Sequence, residues 1–434
     1  MRAFLIVWFG QLISLIGSGL TGFALGVYLY DQTGAATQLA LSLVAASVPN
    51  LLLLPFAGAL VDRWDRRTVL ILSDTGAALV TLALWALVLT GRLQIWHVYL
   101  GNAATSALGA FQRPAYLALP SLLVPREHYG RAGGLMQVAE AASSIVAPLL
   151  AGFLIIAIRI EGVFLIDFAT FLFAAGTLLF VRIPRARDDT LAEGGGQPSL
   201  LRNAVFGWRY LRERQGLFGL LLMFAVVNFA LGFYSAMLTP LILSQFDAQV
   251  LGSLLSISGF AMLGGSLLMS VWGGTRKKIR TVFAAIVAGG LGMALIGQST
   301  DILLIGAGNL LFFAVVPVAN AASQAIWLAK VAPAVQGRVF AARLMLGSAI
   351  TPLAYLLAGP LADHVAEPLM ADGGALAGTL GRWIGTGPGR GYGLIIMVTG
   401  LVVTLAPVVA AMAGPVRRIE DDLPDAVPHQ APGA

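Results

Sequence analysis

Twelve stretches of this chain are too long and too apolar for a water-soluble core. They cover 4–30, 38–61, 69–90, 95–119, 133–158, 162–181, 217–244, 251–273, 282–298, 302–328, 340–362 and 391–413. Each is close to the ~20 residues that a helix needs to cross the hydrocarbon of a bilayer. Ordinary soluble domains carry about 25% charged residues. Here 11% of 434 residues are charged and 58% are hydrophobic, so lipid must solvate most of the surface. The predicted fold class is an all-α integral membrane protein of twelve transmembrane helices. The first run exceeds the ~7–15 apolar residues of a secretory signal and leads straight into the second, which predicts a retained span. The absence of cysteine excludes disulfides, thiol catalysis and thiolate metal sites.

Arginine and lysine set the orientation. With the N-terminus in the cytoplasm, 23 of the 27 fall in or beside inner segments, and only Arg92, Arg159, Arg382 and Arg390 lie outside. The positive-inside rule then predicts a multi-pass plasma-membrane protein with both termini cytoplasmic. The long inner segment 184–215 holds Gly194-Gly195-Gly196, read as a flexible linker. Its second half, 200–211, mixes aromatic residues with Arg202, Arg209 and Arg212, the pattern of an amphipathic helix on the membrane surface. It separates six spans (1–183) from six spans (216–414). The segment 415–434 is acidic and proline-rich, and is expected to be a disordered cytoplasmic tail.

An internal repeat links the halves. Gly130-Arg131 and Gly337-Arg338 open the fifth and eleventh spans. Leu149-Leu150-Ala151-Gly152 and Leu356-Leu357-Ala358-Gly359 follow at the same separation. Two pseudo-symmetric six-helix bundles with a site at their interface are transporter architecture.

The seam between the second and third runs reads Gly58-Ala59-Leu60-Val61-Asp62-Arg63-Trp64-Asp65-Arg66-Arg67. It resembles the G-x-L-x-D-R-x-G-R-[KR] loop of the major facilitator superfamily, with Asp65 where the family's second glycine belongs. The fifth span carries Ala147-Pro148-Leu149-Leu150-Ala151-Gly152, similar to the G-P-x-x-[AG]-G signature that the family associates with antiporters. Pro148 frees a backbone carbonyl, while Ala151 and Gly152 permit close helix approach. With Tyr30, Thr33-Gly34, Ser73-Asp74, Arg113-Pro114 and Pro120, the chain looks like the drug, macrolide and siderophore exporter branch. The resemblance implies a gating motif of Gly58, Asp62, Arg63, Arg66 and Arg67. It further implies that Asp62 meets Arg338 or Arg343 when the cytoplasmic side closes. In the second half the loop motif has decayed: no aspartate lies between Gly265 and Arg276.

In this superfamily the first, fourth, seventh and tenth spans line the cavity. Gln11, Ser14, Ser18 and Thr21 share one face of the first span, and Asn102, Thr105, Gly109 and Gln112 share one face of the fourth. The seventh offers Asn228, Tyr234, Ser235 and Thr239; the tenth offers Phe313, Asn320, Gln324 and Trp327. Such faces serve either helix packing or a neutral, aromatic cavity suited to an amphipathic solute. Glu140 and Asp167 are the candidate proton carriers, with structural hydrogen bonding as their other reading. Asp74 is assigned to the charge cluster around Arg66 and Arg67. Relatives often place an aspartate after a glycine in the first span, where Gly17 here precedes Ser18.

The expected function is export of an amphipathic small molecule by alternating access and proton antiport. A proton symporter importing a neutral solute and a non-transporting sensor are the alternatives. Expected partners are a small-molecule substrate, protons and membrane lipid, without nucleic acid, and the chain is expected to be a monomer. No enzyme activity, metal or cofactor is expected: the histidines lack metal spacing, and 385–391 lacks the Gly-Lys-Ser/Thr of a phosphate loop.

Overall fold

The computed structural model describes residues 1–61, 64–181, 206 and 208–425, and every regular element among them is helical. Among the described residues, ten helices are long and apolar enough to cross a membrane. One of them, Tyr129–Phe180, spans 52 residues and is broken at Arg159, where φ is 58° and ψ −178°. Both arms lie along the first span, Arg2–Thr33, the first arm parallel to it and the second antiparallel. Ser143 bonds the Leu15 carbonyl and Ala147 meets Gly19 on one arm; Thr170 meets Gly17 and Thr177 meets Gly10 on the other. The two arms are the fifth and sixth spans. Ile95–Leu117, with 23 residues, has crossing length but is diluted by Asn102, Thr105 and Gln112. Counting it and both arms gives the expected twelve.

Local chemistry fixes the helix ends. Gly34 closes the first helix in the left-handed region (φ 61°), its N–H donating to the Tyr30 carbonyl at 2.7 Å. This conformation is open to glycine at little cost, and the second span, Ala36–Val61, starts two residues later. Asp65 is the N-cap of the third span, Arg66–Leu89, accepting from the N–H groups of Arg67 at 2.9 Å and Thr68 at 3.4 Å. The departure from the family's glycine is therefore a helix cap, a feature worth about 1 kcal/mol.

The segment before the twelfth span, Arg390–Met412, is built on a buried cation. Arg390 donates to the carbonyls of Ser299 (3.0 Å) and Gly297 (2.9 Å), while Glu367 accepts from the N–H groups of Gly389 and Tyr392, each at 3.1 Å. Gly385, Gly387 and Gly389 all have positive φ, so the glycine run turns the chain into this knot.

At the opposite end, the tail corrects an expectation. Residues 426–434 lie outside the described ones, but 415–425 fold back onto the second bundle. Glu420, on the short helix Ile419–Asp422, accepts from the N–H groups of Lys278 (3.1 Å) and Ile279 (2.9 Å), capping the ninth span Lys278–Gln298. Lys277 pairs with Asp421 at 2.7 Å, and the nearly buried Lys330 pairs with Asp425 at 2.9 Å. Val416 and Ile419 are buried against Gly219 and Gly216 at the start of the seventh span, Gln215–Leu243. The acidic run is ordered because its charges meet helix N–H groups and lysines.

The linker and most of its expected surface helix lie outside the described residues; 208–212 is helical, and Arg214 stacks on Tyr210 at 3.7 Å. The compact units also depart from a six-plus-six division. One holds the first six spans together with Thr239–Gly259, and the other holds the remaining described chain. The fifth span explains the exchange. A Cβ on Gly152 would lie 2.9 Å from the Ala248 carbonyl oxygen, and one on Gly252 would collide with that of Pro148. Ser256 Oγ donates to the Ile145 carbonyl at 2.6 Å. The antiporter-like motif is thus where the eighth span, Ala248–Trp272, crosses the fifth backbone to backbone. Ala151 is fully buried, and Ala147, in place of the family's glycine, fits its methyl against Gly19.

Candidate functional site

In the first unit the polar faces bind each other. Asp74 is 0% exposed. Its Oδ2 accepts from Gln11 Nε2 at 2.9 Å and its Oδ1 from Gln112 Nε2, which also donates to Gln11 Oε1 at 3.3 Å. Two amides, rather than Arg66 and Arg67, therefore hold Asp74, and Gln11 and Gln112 are drawn out of the expected lining. Arg67 instead donates to the carbonyls of Leu178 (3.0 Å) and Leu179 (2.9 Å), tying the third span to the sixth. Asn102 donates to Ser42 at 2.7 Å, and Thr105 turns back to the Gly101 carbonyl. Ser14 is buried and Ser18 exposed.

Asp167 joins three spans. Its Oδ2 accepts from Thr21 at 2.7 Å and Thr81 at 3.2 Å, and its buried Oδ1 has no hydrogen-bond partner. Gly17 makes room for it: a Cβ there would stand 2.8 Å from Oδ1. Glu140 is exposed, and its charge acts on the Tyr116 phenol. Neither aspartate has a cation partner among the described residues, so an ionised carboxylate in either place is held by hydrogen bonds alone.

The second unit contains an open cavity of about 500 Å³. Phe224 and Asn228 reach it from the seventh span, Asn320 and Gln324 from the tenth (Ile302–Lys330), and Arg343, Gly347 and Thr351 from the eleventh (Pro333–Leu361). Each set is spaced by four, so each span contributes one helical stripe. An adjoining pocket of about 70 Å³ shares Phe224, Asn228 and Asn320 and extends between Phe312 and Val315. Three expected lining residues stand elsewhere. Tyr234 is 2% exposed and donates to Asn309 at 2.6 Å; Phe313 packs on it edge-on. Trp327 is 1% exposed and lies under the guanidinium of Arg343, 4.9 Å from the ring centre.

Arg343 also corrects the neutral lining. Its Nη1 donates to Gln324 Oε1 at 2.9 Å, and it lines the cavity. Arg338 stacks on Phe206 at 4.8 Å. Gly58 lies in the second span, Arg66 opens the third, and Asp62 and Arg63 fall outside the described residues.

The sequence pattern of the Major Facilitator Superfamily matches residues 7–355. The chain belongs to that superfamily. It is a multi-pass membrane transporter, and its curated relatives place it beside drug and siderophore exporters. Macrolide efflux protein A of Streptococcus pyogenes is 28% identical over 367 residues, 83% of this chain and 90% of that protein. The enterobactin exporter EntS of Shigella flexneri is 30% identical over 156 residues, 35% of this chain and 37% of that one. The crystal structure of the nucleoside transporter NupG shares the superfamily fold, with a TM-score of 0.71 at 14% identity, covering 95% of this chain and 99% of that one.

Proposed function

We propose that this transporter exports an amphipathic small molecule across the plasma membrane by alternating access, in exchange for protons. The observation that carries the reading is the cavity, where amides alternate with Phe224 and Phe340 at the end rich in lysine and arginine. Aromatic faces take the apolar part of a solute, while Asn228 and Asn320, unbonded to protein among the described residues, fix its polar part. The positive-inside rule assigns that end to the cytoplasm, so solute enters from within. The macrolide efflux protein's alignment over most of its length supports the direction.

The proton is assigned to Asp167, and Asp74, also buried without a cation partner among the described residues, is a second candidate. Glu140 is the weaker candidate, because no hydrogen-bond partner among the described residues ties it to another span, whereas Asp167 is bonded by Thr21 and Thr81. A buried carboxylate without a cation is costly, so taking up a proton changes the energy of the helix contacts around it. Thr21 and Thr81 hydroxyls can donate to an ionised Asp167 or accept from a protonated one. Gln11 and Gln112 hold Asp74 through N–H groups that suit the ionised form. Small-molecule substrate, protons and lipid are the partners in this reading, and one chain carries the whole machinery.

The test is accumulation of fluorescein, rhodamine 123 and Nile red in a host stripped of its own efflux pumps. Expression should lower the level of at least one dye, and a protonophore should restore it. Unchanged levels of all three, or increased uptake, would contradict export.

A further inference from the structure

We infer that Arg343 is the anion-binding residue of the cavity, and that the transported solute carries a carboxylate or similar acidic group. This rests on the reading of the cavity as the solute site and narrows its substrate class. The guanidinium is held from two sides, by the Trp327 face at 4.9 Å and by Gln324 Oε1 at 2.9 Å. Phe340 meets Trp327 edge-on, at 6.5 Å between ring centres and 85°, which steadies the aromatic floor. Only Nη1 has a protein acceptor; Nη2 and Nε have none among the described residues, and the side chain lines the cavity. A guanidinium fixed by its face and one N–H presents a planar, two-pronged donor edge that matches a carboxylate.

Charge balance points the same way. Among the described residues, no aspartate or glutamate lines either pocket and no acid pairs with Arg343. A half-buried cation without a counter-ion is unfavourable, so an anion entering the cavity meets a partner that no described residue satisfies. Asn228 and Asn320 lie one turn or more deeper and take neutral polar groups of the same solute.

Two probes of one shape isolate the charge: 2-naphthoate and 2-naphthylmethanol. Equilibrium dialysis would use the full-length protein in nanodiscs of zwitterionic lipid, with empty nanodiscs subtracting partition. The parent should prefer naphthoate by about 10- to 100-fold, the range of a charge-assisted hydrogen-bond pair. Arg343→Gln should bring that ratio near one, and Arg343→Lys should keep part of it. A purely structural or gating arginine would change both affinities together and leave the ratio alone. A ratio near one in the parent, or one unchanged in Arg343→Gln, would overturn the proposal. So would loss of the preference when phosphatidylglycerol is added, because a lipid headgroup would then own the site. Naphthylmethanol binding without preference would remove the anion assignment and leave the exporter reading intact. Binding of neither probe would remove both.

Discussion

At the scale of single residues, the polar groups of the first bundle act as each other's solvent. Asp74 is satisfied by the amides of Gln11 and Gln112, and a buried carboxylate that loses one donor costs about 1–3 kcal/mol. Gln11→Leu should therefore lower the melting temperature of the purified protein. Adding Asp74→Asn should recover part of the loss, since it removes the charge that the glutamine served. Additive losses in the double variant would sink this account of the triad. The triad is partly legible in the sequence. Gln11, Asp74 and Gln112 all sit a few turns from the same-side ends of their helices, but helix order along the chain does not say which spans touch. Arg343 is obscure for a different reason. Its place near the start of a span suggests a gate, and only the packed Trp327 and Gln324 show that it turns inward.

At the scale of elements, cap chemistry decides which segments are ordered. The acidic tail reads as disordered from composition alone, because composition does not record that Glu420 meets a helix N-terminus or that Asp421 meets Lys277. The Lys277 ammonium holds the Asp421 carboxyl below its ordinary 3.8. A depressed carboxyl stabilises docking above its free value and loses that contribution as pH falls through the folded value. Protease access to 415–425 should thus stay low and flat at about pH 5–8 and rise below about pH 4. High salt should raise it as well, since these pairs are partly exposed. Cleavage independent of both pH and salt would mean that Val416 and Ile419 alone hold the tail. The span boundaries are legible because each apolar run must end where charge begins. The break at Arg159 and the cap at Asp65 are not, since both depend on backbone geometry at one residue.

At the scale of the whole molecule, the twelve spans follow from apolar length, and the superfamily is shown by a match over most of the chain. The exchange of Thr239–Gly259 into the first unit is hidden, because a crossing through Gly152 and Gly252 involves only backbone and small side chains in a sequence full of both. What the architecture leaves to chemistry is the proposed coupling of outward solute movement to protons. The direct measurement is uptake of an exported dye by inside-out membrane vesicles whose lumen is acidified, with Asp167→Asn, Asp74→Asn and the parent at matched expression. The parent should concentrate the dye only while the lumen is acid. At least one of the two variants should exchange dye across the membrane without accumulating it. Accumulation that persists after the gradient is collapsed, or equal uphill uptake by the parent and both variants, would contradict proton-driven export through these buried carboxyls.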